Sequence, residues 1–359
     1  MRALLRPAAV AVSGLVATTL VATTLSTPAE AAPSDRGADW LVSQLDENHV
    51  VYNEQFDFED LGLTLDVGFA LDEVGGHRAD VSDVRRAMSS RVDAYTRFDS
   101  PDIYANAVAK LLVFVQHTGA RDTSRFAGTN LLKRLNGRVL DGRGVTGRIA
   151  DKTAFSDSAN SIGQAYAAEA LARAGSGKAP RVTRFLLRQQ CDAGWFRLYF
   201  SDLDARRQAC GSGDQADTDA TAFAVAGLRA LPRGLKTRAV RSSIRDALAW
   251  LGRSQEDDGS HGGGIGASGA NANSTGLAAW VLGDAGRCQP ARRAARWVRD
   301  LQVPGDVTGT PLEGEAGAIA YDRAAYTAGE TDGITVESRD QWRRTASQAA
   351  PGLRYVAGC

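Results

Sequence analysis

The sequence predicts an all-α domain built from repeated helical hairpins, its helices arranged as an inner and an outer layer. Three observations carry this. Six segments rich in small residues end in Gly or Pro at positions 75, 119, 175, 232, 286 and 329, and successive ends lie 44, 56, 57, 54 and 43 residues apart. Such a repeat marks stacked supersecondary units. Stretches with a one-sided apolar stripe run between these segments, and strand-like alternation over more than four residues is nearly absent.

In chain order the inner segments are Gly62–Gly75, Tyr104–Gly119, Asn160–Gly175, Asp217–Pro232, Asn271–Gly286 and Glu315–Gly329. Asp, Asn or other polar residues near their starts suit N-caps, and the closing glycines or proline suit helix ends. Asp219 to Leu228 and Asn273 to Leu282 are small or apolar almost all round. A helix of that kind is buried, and its Gly, Ala and Ser let backbones approach closely. The outer helices differ. Ile244, Ala247, Leu248 and Leu251 fall at i, i+3, i+4 and i+7, with Asp246 and arginines elsewhere. Ala291, Ala294, Ala295 and Val298 likewise oppose Arg292, Arg293, Arg296 and Arg299. Six such pairs suffice to close a ring.

The first 31 residues read as a secretory signal. Arg2 and Arg6 precede an apolar run from Ala8 to Leu25, and Ala29-Glu30-Ala31 puts small residues where a signal peptidase cuts. Thr18, Thr19, Thr23 and Thr24 dilute the run and Pro28 breaks it, which disfavours a membrane anchor. Cleavage after Ala31 leaves residues 32–359, read as one domain of 328 residues. No later stretch reaches the roughly 18 apolar residues of a spanning helix. The chain has 42 basic and 42 acidic residues, and the part after Ala31 has 40 and 41, so no basic excess marks a nucleic-acid partner. The expectation is a secreted, extracellular monomer without a membrane span. Cys191, Cys210, Cys288 and Cys359 are an even number in an exported chain and read as disulfides. Three pairings are open. Cys191–Cys210 with Cys288–Cys359 is favoured, because it closes one compact loop and pins the C-terminus, each bond contributing about 2–4 kcal/mol. There is no CxxC pair and the four histidines are scattered, so neither a metal site nor a cofactor is expected.

Gln189–Trp195 and Gln255–Ser260 each follow an outer helix and resemble the Gln…Gly…Trp turn of the squalene-cyclase and prenyltransferase repeat. Asn271–Ala278 is similar to an inner helix of that superfamily, whose fold is the α/α toroid. The toroid domain of intrinsic-factor-type cobalamin carriers shares it. The resemblance is clearest over residues 155–300 and runs more loosely over 35–350, and it implies a secreted bacterial toroid of about six helical hairpins. Asp217–Ala222 resembles the Asp-x-Asp-Asp-Thr-Ala motif of class II terpene cyclases, which implies Asp219 as the acid that protonates a double bond and Asp217 as its support. Ala220 stands where the last aspartate of that motif belongs. The Asp/Cys/His zinc trio of the prenyltransferases is missing from matching inner helices. Only about 30 residues follow Gly329, too few for the β-rich lid of the cobalamin carriers.

Other motifs carry less. Gly264–Gly269 spells the dinucleotide-binding pattern without the strand it requires. His261–Gly264 has the look of an esterase oxyanion loop, with no Gly-x-Ser-x-Gly elbow to serve it. Asp257 and Asp258 suit a solvated acidic turn. If all inner helices start at one end, Asp60, Asp102, Tyr104, Asn160, Asp217, Asp219, Asn271 and Asn273 ring one mouth. The preceding turns bring Tyr52, Phe56, Phe58, Trp195, Phe196, Tyr199 and Phe200 to that mouth. Polar groups among aromatic walls suit a small ligand. The expected function is binding of a small molecule or cell-surface component at that mouth, without catalysis. The alternatives are a terpenoid cyclase-like or polysaccharide-degrading enzyme using mouth carboxylates such as Asp217 and Asp219, and a structural or protein-interaction module. A binder calls for few perturbed carboxylates, an enzyme for a buried carboxylate pair, and an interaction module for a plugged barrel with an exposed apolar patch.

Overall fold

The computed structural model describes residues 31–119, 125–263 and 269–359, and residues 31–359 form one compact unit. The signal-like segment 1–30 and most of the glycine-rich 264–269 pattern lie outside the described residues. In chain order the helices are α1 (Pro33–Ser43), α2 (Leu61–Val74), α3 (Arg78–Ser89), α4 (Val92–Arg97), α5 (Ala105–His117), α6 (Leu131–Asn136) and α7 (Ser161–Arg173). There follow α8 (Ala179–Leu187), α9 (Thr218–Ala230), α10 (Arg238–Arg253), α11 (Ala272–Asp284), α12 (Cys288–Arg299), α13 (Arg323–Asp332) and α14 (Val336–Ala349). The last continues as a 3₁₀ segment, Ala350–Tyr355. Two two-residue strands, β1 (Tyr52–Asn53) and β2 (Phe58–Glu59), form a small hairpin before α2.

α2 packs on α5, α5 on α7, α7 on α9, α9 on α11, α11 on α14, and α14 back on α2. Six helices therefore close an inner ring. Helices α1, α3, α6, α8, α10 and α12 pack against it from outside, and the whole is an α/α toroid. Five inner helices lie where the small-residue segments put them. Gly68, Gly163, Gly227 and Gly276 face neighbouring groups so closely that a Cβ would meet them at 2.8 Å or less.

The sixth inner helix is not the Glu315–Gly329 segment. That stretch forms a loop and most of α13, while α14 takes the place in the ring. α14 lacks the small-residue signature because it buries polar side chains with partners. Arg343 is buried, with its guanidinium on Glu54 at 2.9 Å and on the Gln44 side chain at 3.1 Å. A buried charge is tolerated only when it is paired and hydrogen-bonded in this way.

One device ties successive hairpins together. The Gln190 amide donates to the Gly194 carbonyl (2.8 Å) and to Ser243 of the next outer helix (2.9 Å). Gln255 does the same with Gly259 and Pro290, at 3.0 and 2.9 Å. Gln302 joins Gly317 to Pro33, at 3.2 and 2.8 Å, and so ties the last outer helix to the first. The three glycines have φ of 106°, 99° and 96°. Each lies against the backbone of the next outer helix, where a Cβ would sit 2.4, 2.7 or 2.1 Å from a carbonyl oxygen.

The disulfides are Cys191–Cys210 and Cys288–Cys359, the favoured pairing, each with Cα atoms 5.2 Å apart. No helix among the described residues is long and apolar enough to cross a membrane.

Candidate functional site

The starts of the inner helices do gather at one end. Asn160 N reaches Asn106 Oδ1 of the neighbouring helix at 3.4 Å, and Ser274 of α11 donates to Asp219 of α9 at 2.6 Å. The parallel arrangement follows, and it places the predicted mouth residues together. Four of the eight act as local caps. Asp60 Oδ1 accepts from Leu63 N at 2.8 Å and its other oxygen pairs with Arg344. Asn160 accepts from Ile162 N and Gly163 N, both at 3.1 Å. Asp217 accepts from Ala220 N at 2.7 Å, and Asn271 accepts from Ser274 N at 2.9 Å. Such bonds satisfy amides that a helix start leaves without partners.

The other predicted residues are placed differently. Tyr104 caps α5 by position only, and the amide of Ala105 is taken by Asp151 at 2.6 Å. Asp102 accepts from Thr153 at 3.0 Å. Asn273 donates to Gln348 at 3.1 Å. Trp195 is half-buried in the turn after α8, and its carbonyl accepts from Cys191 N. Asp219 stands out among them. Burial, aided by the nearby Asp217, raises its pKa to about 6 against the opposing Ser274 hydrogen bond. His261 is buried, with Nε2 on the Leu251 carbonyl at 3.0 Å, and burial lowers its pKa to about 4. A neutral core histidine takes the place of an oxyanion loop.

The ring encloses a cavity of about 280 Å³, and it lies toward the opposite end, between the C-terminal halves of the inner helices. Phe69, Tyr166, Phe223, Leu277 and Trp280 supply its apolar wall. The rings of Phe69 and Tyr166 stack with centroids 5.8 Å apart, and Tyr166 meets Phe223 at 5.6 Å. Polar groups come from the last turns: Glu73, His117, Glu169, Arg229 and Asp284. Helices α2, α7 and α11 each bring one inward stripe, in which Phe69 precedes Glu73, Tyr166 precedes Glu169 and Trp280 precedes Asp284 by a single turn.

The electrostatics divide these groups into a paired set and a labile one. His117 Nε2 meets Glu169 Oε1 at 2.7 Å, and Glu169 also accepts from Arg173 at 2.8 Å. Burial by itself lowers the His117 pKa, but the hydrogen bonds to Asp72 and Glu169 prevail and hold it at about 9. Asp284 accepts from Arg354 at 3.2 Å and from the Tyr355 hydroxyl. Glu73 shares that Arg354 nitrogen at 3.3 Å and accepts from Trp280 Nε1 at 3.2 Å. Burial nonetheless raises its pKa, with Asp284 adding to the effect and Arg354 opposing it. Glu73 and Asp284 thus form a carboxylate pair bridged by one guanidinium, and Glu73 is held above the usual glutamate range by its burial. None of these residues stood out in the sequence. The signal available was a charged residue in the last turn of helices otherwise small and apolar.

No protein-family model matches the chain, and no curated protein matches it in sequence. Solved structures are similar in fold. An unsaturated glucuronyl hydrolase specific for heparin superposes with a TM-score of 0.62 at 10% identity, over 90% of this chain and 96% of that one. The type II terpene cyclase MstE from Scytonema gives 0.59 at 15% identity, over 90% and 97%. A protein from Actinoplanes gives 0.57 at 17% identity, over 90% and 98%. At these identities the likeness establishes the toroid.

Proposed function

We propose that the chain is an exported, monomeric toroid that binds a compact, largely apolar molecule in the central cavity and protonates it through Glu73. Residues 1–31 are, on this reading, a signal removed near Ala31, and residues 32–359 are the mature domain. Two disulfides support an oxidising compartment. The observation that carries the reading is the cavity itself: an aromatic pocket just below the usual range of roughly 300–1,000 Å³ for ligand sites, with a carboxyl in its wall whose pKa burial raises. An acid for this work needs a pKa near the working pH, and burial moves Glu73 in that direction. The wall of Phe69, Tyr166, Phe223, Leu277 and Trp280 offers an isoprenoid a larger apolar contact than a sugar could use. In the same fold, MstE binds geranylgeranyl dihydroxybenzoate. Asp219, the acid implied by the terpene-cyclase motif, is not among the residues lining this cavity.

The test is calorimetric titration of the mature protein with geraniol, farnesol and geranylgeraniol, followed by product analysis. Binding with conversion in the native protein, and binding without conversion in Glu73→Gln, is the expected result. Unchanged recovery from the native protein reduces the reading to a carrier. Binding of oligosaccharides in place of all three alcohols overturns it.

A further inference from the structure

The end of the toroid opposite the cavity carries a set of exposed rings. Phe56, Phe98, Phe155 and Tyr199 are 67, 66, 78 and 57% exposed. Each belongs to the loop leading into a different inner helix, and those helices, α2, α5, α7 and α9, are consecutive in the ring. A single exposed aromatic is ordinary, but four at one end of a molecule are a feature to explain.

The loops beneath the rings are fixed. The Phe56 amide donates to Asn53 Oδ1 at 3.0 Å, and the Phe155 amide to Thr153 Oγ1 at 3.1 Å. Thr153 in turn donates to Asp102 at 3.0 Å, and an Ile103–Lys152 bridge joins the loops before α5 and α7. An Asn160–Tyr199 bridge joins the next pair. Phe98 rests edge-on against Tyr104 at 4.8 Å, with φ of 48°. A bulky residue in left-handed backbone is strained, and strain of this kind persists where the surroundings impose it. The backbone is thus ordered while the rings stay in water.

The rings are carried on four separate loops, whose sequences include Asp57, Asp99, Asp102 and Asp202. These loops hold more carboxylates than cations, which disfavours anionic polymers and anionic membranes. A neutral polysaccharide matches both features. Its sugar rings offer apolar faces to stack on aromatics, and its hydroxyls donate to carboxylates. We propose that this rim is a docking platform for an uncharged polysaccharide, which leaves the cavity at the other end open to solvent.

The test is affinity electrophoresis and pull-down of the mature protein with cellulose, chitin, xylan and starch. Polygalacturonate and phosphatidylglycerol vesicles serve as anionic controls. Retention by at least one neutral polymer is expected, with at least a tenfold loss in a variant combining F56A, F98A, F155A and Y199A. That variant should keep its helical circular dichroism, since the four side chains are exposed, and Glu73→Gln should bind the polymer as the native protein does. Absence of retention by every neutral polymer, equal retention of the fourfold variant, or preference for the anionic controls each overturns the proposal.

Discussion

Asp219 shows how one residue carries local geometry and a thermodynamic penalty together. Its pKa in the folded protein is about 6, above that of an exposed aspartate, chiefly because it is buried. Below about pH 4 both folded and unfolded chains hold the proton and the residue is neutral in its effect. As pH rises from 4 to 6 the unfolded chain releases the proton first, so folding stability falls, and above 6 the penalty is complete. Asp219→Asn keeps an acceptor for Ser274 and removes the charge. Denaturant unfolding of this variant should show a gain of about 1–3 kcal/mol at pH 7 that vanishes near pH 4. An equal gain at both values means the substitution acts through packing. The motif around Asp219 was visible in the sequence, as were the caps Asp60, Asn160, Asp217 and Asn271, because a cap bonds its own chain within three residues. Glu73, His117 and Asp284 were not visible as a site. Each belongs to a different helix, and only ring closure brings them together.

At the scale of elements, five inner helices were legible and the sixth was not, for one reason. A helix buried by packing alone must be small and apolar on every side, and that is a property of its own residues. α14 is buried by exchange of charge, and the partner of Arg343, Glu54, is 289 residues away. No local pattern reports such a pairing. The turns between hairpins are the other inflexible element. At Gly259 the backbone is left-handed and a Cβ would lie 2.7 Å from the Arg293 carbonyl oxygen. Gly259→Ala should cost about 2–4 kcal/mol in guanidinium unfolding, from backbone strain and the forced shift of α12. Gly252→Ala in α10, where a Cβ meets nothing within 4 Å, should be neutral or mildly stabilising and serves as its control.

For the molecule as a whole, closure is the main structural commitment. The last outer turn is tied to the first helix by Gln302, and the Cys288–Cys359 bond holds the C-terminus beside α12. The sequence separations are 71 residues for this bond and 19 for Cys191–Cys210. Chain entropy then predicts that removing the long loop costs about 4 kcal/mol and the short one about 3. Guanidinium midpoints of the two double-alanine variants check the order. A larger loss at Cys191 and Cys210 assigns the stabilisation to the native turn instead. The fold class and the layering were readable from spacing, whereas the disulfide pairing was favoured among three that spacing left open. The cavity lies at the end opposite the mouth that the sequence marked, because helix starts advertise themselves in sequence through their caps and helix ends do not.

The parallel inner helices have an electrical consequence. Each helix behaves as though it bore about half a negative charge at its C-terminus and half a positive charge at its start. Ring closure points all six the same way, so their fields add along the barrel axis. The end holding the cavity is negative before any side chain is counted. A positive His117 and a reluctant Glu73 are what such a field favours, while Asp60 and Asp217 occupy the poles that welcome them. Any guest polarised along the axis should lie with its electron-poor end at the last turns, whatever its chemical class.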